Sequence, residues 1–163
     1  MNTTLESIIR PANNKDSPAI ISLIDTVLGE WNDRVCLDEA EKDLLNIESH
    51  YFDQGGIFVV LETNGEITGT HAVLPIDEMT CSFKRLYLQK YLRGGSSGNN
   101  LMQWTIDWAK QEKFQKIEFW SDTRFARAHQ FFNRFGFKKN GQIRKMTDSF
   151  DPYKEFYFSM ELD

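Results

Sequence analysis

Residues 91 to 100 read YLRGGSSGNN, with three of the chain's ten glycines and two serines in one short run. By composition alone this is a flexible linker. Its flanks say otherwise. CSFKRLYL (81–88) reads as a strand, with Phe83, Arg85 and Tyr87 alternating against Lys84, Leu86 and Leu88. From about Asn99 to Lys113, Leu101, Trp104, Thr105 and Trp108 fall on one side of a helix, with Met102, Ile106 and Ala109 beside them. Neither flank is a unit that could stand alone, so the run is a turn between two packed elements. A strand, a glycine-rich turn and a helix start bring consecutive backbone N–H groups and the positive end of a helix dipole onto one point, which suits an anion. Glycine lets such N–H groups converge by accepting positive φ and keeps side chains away from the ligand. Arg93 adds a charged fork. No Gly-Lys-Ser/Thr follows and the GxGxxG order fails, so neither common nucleotide loop is present.

Working outward, LESIIR (5–10) reads as a strand, and Ser17-Pro18 opens a helix carrying Ile20, Leu23, Ile24, Val27 and Leu28. Leu37, Ala40, Leu44, Ile47 and Tyr51 predict a second helix that Gly55-Gly56 ends. IFVVLE and ITGTHAVL, joined across Asn64-Gly65, form the strongest hairpin signal in the chain. KIEFWS (116–121) is a strand. Asp122 is placed to cap a helix through Ala128, Phe131, Phe132 and Phe135, with Gly136 as its stop. Two closing strands are predicted at about 142–147 and 155–162.

At 163 residues, 40% hydrophobic and 13% aromatic, the chain suits one domain, 1–163, with a large aromatic core. Cys36 and Cys81 lie far apart with no CxxC and no His at metal-ligand spacing, which predicts a reducing, cytoplasmic setting and no metal. No apolar run approaches the roughly 20 residues that span a bilayer. A net charge of −5 argues against nucleic acid or an anionic membrane as partner and suits a cationic small substrate.

Leu86-Tyr87-Leu88, then Arg93-Gly94-Gly95-Ser96-Ser97-Gly98 and Asn99, resembles the signature of the GNAT superfamily of N-acetyltransferases, a strand running into Arg/Gln-x-x-Gly-x-Gly/Ala and a helix. Ser96 stands where the first signature glycine is usual. AHQFFNRFGF (128–137) is similar to a late segment of the same family, with Phe132 in place of its tyrosine. The order of elements matches over nearly the whole chain. The resemblance implies an α/β (α+β) single-domain GNAT fold: a central mixed, mostly antiparallel sheet, splayed parallel strands in the middle, and helices on both faces. It also implies acetyl-CoA as co-substrate, with its pyrophosphate on Arg93, Gly94, Gly95, Ser96, Ser97, Gly98 and Asn99. The pantetheine would lie between strands 81–88 and 116–121, and the acetyl group on the backbone of Leu86, Tyr87 and Leu88, with Phe132 nearby.

The activity so implied is acetyl transfer to a primary amine of a small molecule by direct attack in a ternary complex. Such a reaction needs a neutral amine, alignment, oxyanion stabilisation and a proton for the thiolate. His129 is the nearest titratable substitute for the missing tyrosine, with Tyr157 and solvent as alternatives and a plain exposed histidine as the competing reading. Base candidates are Glu78, Asp77, Glu118 and Glu62, each also readable as solvated surface. SDTRF (121–125) follows a strand at its carboxyl end, where ligands of open sheets gather. Asp122 and Arg124 therefore frame the substrate or merely start a helix. Trp31, Tyr51 and Phe52 wall a pocket or pack the core. A non-catalytic acyl-CoA sensor and an enzyme acting on a protein or aminoacyl-tRNA amine remain alternatives, and the oligomer is expected to be a monomer or homodimer.

Overall fold

The structure, a computed structural model, describes residues 6–148 and 150–163. Leu5, with which the expected first strand opens, lies outside the described residues. Seven strands form one sheet: β1 (Ser7–Pro11), β2 (Ile57–Thr63), β3 (Glu66–Pro75), β4 (Thr80–Leu88), β5 (Lys116–Asp122), β6 (Lys138–Met146) and β7 (Tyr153–Glu161). Their order is β1-β2-β3-β4-β5-β7-β6, and every pairing is antiparallel except β4 with β5. The mixed sheet with a parallel pair at its centre is the one the resemblance implied.

β2 shows why both faces are covered. Ile57, Val59 and Leu61 point into one cluster while Phe58 and Val60 point into another. Helices α3 (Ser97–Gln111) and α4 (Ala126–Phe135) close the first face through Leu101, Met102, Ile106 and Phe132, against Phe83, Phe119, Phe137 and Phe158. Helix α1 (Ser17–Gly29) closes the second through Ile20, Ile24 and Leu28. Asn64 (φ 52°) and Gly65 (φ 83°) make the predicted two-residue hairpin turn.

Three readings of the sequence are corrected. The second helix is not continuous. Residues 37–41 are turns, Lys42–Leu45 is a 3-10 turn, and only Ile47–His50 (α2) is α-helical. Asn46, whose side chain accepts from the Ser49 N–H, interrupts the helical path, while Leu44, Ile47 and Tyr51 are still buried. Asp122 ends β5 rather than capping α4, which starts at Ala126 with no side-chain cap. In β4 the alternation breaks at Arg85, which has a φ of 59°. Arg85 and Leu86 together oppose His71, so Phe83, Leu86 and Leu88 share the α3 side and Tyr87 the α1 side.

Candidate active site

β4 and β5 are paired only at Thr80–Lys116, Cys81–Ile117 and Ser82–Glu118. Beyond that they part, and residues 83–88 have no strand on the β5 side. An opening through the sheet results, and the bulge lies on its margin. Arg85 is held in its left-handed conformation at both ends. The Thr70 hydroxyl donates to its carbonyl at 2.7 Å, and its guanidinium forks onto Asp43 (3.1 and 2.7 Å) and reaches the Ala40 carbonyl (2.7 Å). Asp43 also accepts from the Tyr51 hydroxyl at 2.5 Å. The non-helical segment 37–46 is thus fastened to the strand beside the opening.

On the α3 side the glycine run behaves as its flanks suggest. Gly94 has a φ of 85°, a conformation that a side chain strains. The first hydrogen bond of α3 is from Asn100 N–H to Ser96 O, and the amides of residues 94 to 99 have no carbonyl partner among the described residues. The Ser96 hydroxyl does not cap the helix. Six amides at a helix start are therefore left without carbonyl partners, with Gly98 against Leu88 and the Phe131 ring.

The charge at this loop is not the one the sequence suggests. Arg93 donates through Nε and Nη2 to the Leu88 carbonyl (3.1 and 2.9 Å), and its two terminal nitrogens clasp Glu30 at 2.6 and 2.7 Å. That fork holds the Glu30 carboxyl below the usual range. The guanidinium that reaches Gly94 belongs to Arg127, in the first turn of α4, 3.3 Å from where a Cβ on Gly94 would stand. Sequence reasoning missed it, because nothing in the sequence says that α4 begins beside residue 94. An open groove of about 480 Å³ continues from the loop, lined by Asn99, Asn100, Gln103, Arg134 and Phe135.

On the α1 side the opening is bordered by side chains. Arg124 binds Asp122 through Nε (3.0 Å) and Nη2 (2.6 Å), and reaches Asp33 at 3.3 Å. Trp31 packs at a tilt against Phe125, with ring centroids 5.4 Å apart. Three expected substrate residues, Trp31, Asp122 and Arg124, are therefore brought together. Glu155 faces Asp122 across the β5–β7 pair and accepts from Arg144 Nε at 2.8 Å. Burial raises its carboxyl all the same. Tyr153 and Tyr87 have phenols raised by burial. Glu41, 5% exposed, completes the ring, its carboxyl raised by burial. Glu155 and Tyr153 on β7 and Glu41 have no motif, since Glu41 lies more than a hundred residues before the other two.

Other expected residues lie elsewhere. Tyr51 is 1% exposed and belongs to the core, not to a pocket wall. Phe52 packs between the two clusters. Glu78 and Asp77 sit in the exposed turn before β4, at the closed end of the parallel pair. From Thr80 to Leu88 a strand runs about 26 Å, so that turn is remote from the Leu86–Leu88 end of the opening. Glu62 is tied to Arg10, and Tyr157 donates its hydroxyl to Glu118 beside the paired part of β4 and β5. His129 is half-buried against Phe156 and Phe158, with Nε2 3.3 Å from the Ser121 hydroxyl. Burial lowers its pKa, so at neutral pH it is a neutral imidazole. Phe132 is 6% exposed among Phe119, Phe137 and Phe158, where a tyrosine hydroxyl would meet mostly carbon. Among the described residues no group of three or more His, Cys, Asp or Glu could hold a metal ion, and no helix is long and apolar enough to cross a membrane.

A sheet opened between central parallel strands, with a glycine-rich loop and helix start on one face, is the arrangement the GNAT resemblance implied, and clustered buried carboxylates lie on the other face. The comparisons agree: the chain belongs to the acetyltransferase (GNAT) family, whose model matches residues 23–137. Among solved structures, a GNAT-family acetyltransferase from Staphylococcus aureus shares 23% identity over 97% of this chain and 100% of its own, with a TM-score of 0.84. An acetyltransferase from Streptococcus agalactiae shares 21% over 96% and 98%, with a TM-score of 0.83. The Salmonella typhimurium protein yncA, solved with its cofactor acetyl-CoA, shares 19% over 96% and 94%, with a TM-score of 0.75. No curated protein sequence matches the chain.

Proposed function

We propose that the protein transfers the acetyl group of acetyl-CoA to the primary amine of a small molecule, by direct attack in a ternary complex. The observation that carries this reading is the asymmetry of the opening. The amides of residues 94 to 99 and Arg127 suit the pyrophosphate on one face, and the groove at Asn99, Gln103 and Arg134 suits the nucleotide end. A pantetheine arm passing between β4 and β5 would present its thioester beside Leu86, Tyr87 and Leu88, toward the recess of Glu41, Asp122, Glu155 and Tyr153.

In this mechanism the protein supplies alignment and polar stabilisation, and the electrophile arrives already activated. Backbone N–H groups at the bulge, unpaired on the β5 side, are the donors available to the tetrahedral oxyanion. A recess rich in carboxylates favours a cationic amine of small size over a polyanionic tRNA. The two free cysteines, Cys36 and the buried Cys81 whose thiol is pushed up to about 12, fit a reducing cytoplasm.

Release of free thiol from acetyl-CoA, followed with a panel of primary amines and matched tertiary amines, tests the reading. Saturable turnover with primary amines alone is expected. Tight acetyl-CoA binding without turnover would favour a sensor, and turnover confined to peptide amines would move the acceptor to proteins.

A further inference from the structure

We infer that Glu41 is the residue that receives the acceptor's ammonium group and takes its proton. The inference rests on the transferase reading above and names a catalytic side chain for it.

Glu41 is an uncommon carboxylate. It is 5% exposed, yet among the described residues no lysine, arginine or histidine lies within ion-pair distance of it. Among the described residues its one hydrogen bond is at Oε2, which accepts from the Cys36 N–H at 2.8 Å, and Oε1 has no partner. Among the described residues, Ser17 Oγ is the one enclosed side-chain polar atom without a bond, so Glu41 Oε1 must keep an opening to solvent. Burying a carboxylate without a cation is costly, and such groups are normally paired. Every other strongly buried carboxylate on this face has its cation: Asp33 and Asp122 share Arg124, and Glu155 has Arg144.

The surroundings point the same way. The charged and titratable groups that act on Glu41 are Arg85 from β4, Asp33 from the segment after α1, and Asp43 from the turn before α2, while its own charge acts on the Tyr87 phenol of β4. Arg85 is the only cation among them, and its fork is taken by Asp43 and the Ala40 carbonyl. Tyr87 belongs to the stretch of β4 that has no strand on the β5 side, where the thioester is expected. An ammonium on Glu41 would therefore supply the missing cation and stand near the acetyl carbon. Burial raises the Glu41 carboxyl, which makes it a stronger base toward that ammonium.

The step balances without an outside donor. Glu41 takes one proton from the ammonium, and the freed lone pair forms the C–N bond as the carbonyl electrons move to oxygen. The tetrahedral carbon then re-forms its carbonyl and breaks the C–S bond. A second proton passes from nitrogen to the departing sulfur, and Glu41 gives the first to solvent. Nitrogen thus protonates the thiolate, which Phe132 cannot do.

Glu41→Gln keeps the shape and an acceptor for Cys36 N–H, so two measurements on it decide the matter. The first needs no acceptor. Because burial raises the folded-state pKa above the unfolded one, ionised Glu41 costs stability above the unfolded pKa, and the cost disappears as pH falls through the carboxylate range. E41Q should melt about 2 °C or more above wild type at pH 7 and match it near pH 4. An E41Q that melts lower at pH 7 would show a structural carboxylate and overturn the inference. The second is thiol release with ethanolamine, glycinamide, glucosamine and spermidine. With unchanged acetyl-CoA affinity, the E41Q rate on any amine that wild type accepts should fall about 10²–10⁴-fold, with E41D recovering part of it. Equal rates overturn the role of Glu41 alone. A wild type that acetylates none of the four amines, nor any other in the wider panel, overturns the transferase reading and this role with it.

Discussion

The two faces of the opening are built from different materials. The α3 face is made of backbone: six amides in sequence, a helix start and a glycine at positive φ. The α1 face is made of side chains from separate segments, Asp33, Glu41, Asp43, Asp122, Arg124, Tyr153 and Glu155, with all its carboxylates except Glu41 held by ion pairs to Arg85, Arg124 or Arg144. A backbone site tolerates almost any neighbouring sequence provided its glycines and spacing remain, which suits a co-substrate common to a family. A side-chain site can change acceptor with single substitutions. The difference teaches that damage to the two faces should separate cleanly in binding and stability.

The largest separation is expected at Asp43. It holds both Arg85 and Tyr51, and its removal leaves a guanidinium largely buried without a carboxylate. Asp43→Ala should cost about 3 kcal/mol in urea unfolding, while the folded fraction binds acetyl-CoA with little change. Gly98→Val should do the reverse. Its methyl groups would crowd Phe131 and overhang the amides, raising the acetyl-CoA dissociation constant about tenfold in calorimetry, with a melting point near wild type.

The two arginines at the loop sharpen the comparison further. Arg127→Ala should weaken acetyl-CoA binding by several-fold, more at low salt than at high, as expected of a phosphate contact. Arg93→Ala should show little salt dependence, since its fork is committed to Glu30 and the Leu88 carbonyl. If Arg93 rather than Arg127 carries the salt dependence, the loop rearranges on binding.

The histidines should matter little for rate, and for stability only at acid pH. His129→Gln should retain a rate within about tenfold of wild type, because a neutral imidazole is a poor acid at pH 7. His71, fully buried against Thr105, has its pKa pushed down to about 3. Its folded pKa is depressed, so between about 3 and the ordinary 6.5 the unfolded chain binds more protons. Stability should therefore fall as pH falls through that window, and His71→Gln should flatten the fall in melting curves taken from pH 7 to 4.

Much of the fold was readable because it is periodic or punctuated. The hairpin at Asn64-Gly65, the apolar face of α3 and the glycine at 136 each carry a local signal, and the structure has them where the sequence puts them. The broken helix at 37–54 was only partly readable: its apolar spacing is helical and Asn46 is a local break, while its fastening to Arg85 comes from a distant strand. The bulge at Arg85 left no mark either, since an arginine at positive φ has no sequence signature. The same holds for the candidate site. Its glycine loop announces itself, whereas Arg127, Glu41 and Glu155 acquire meaning only when the sheet assembles them.

The central claim is that acetyl-CoA lies across residues 94 to 99 with its arm between β4 and β5. Backbone amide NMR of the protein titrated with CoA tests it directly. Saturable shifts should concentrate at residues 94 to 99, 86 to 88 and 127, with β1 and its partner edge of β2 unmoved. Saturable binding whose shifts fall away from the glycine loop would contradict the account.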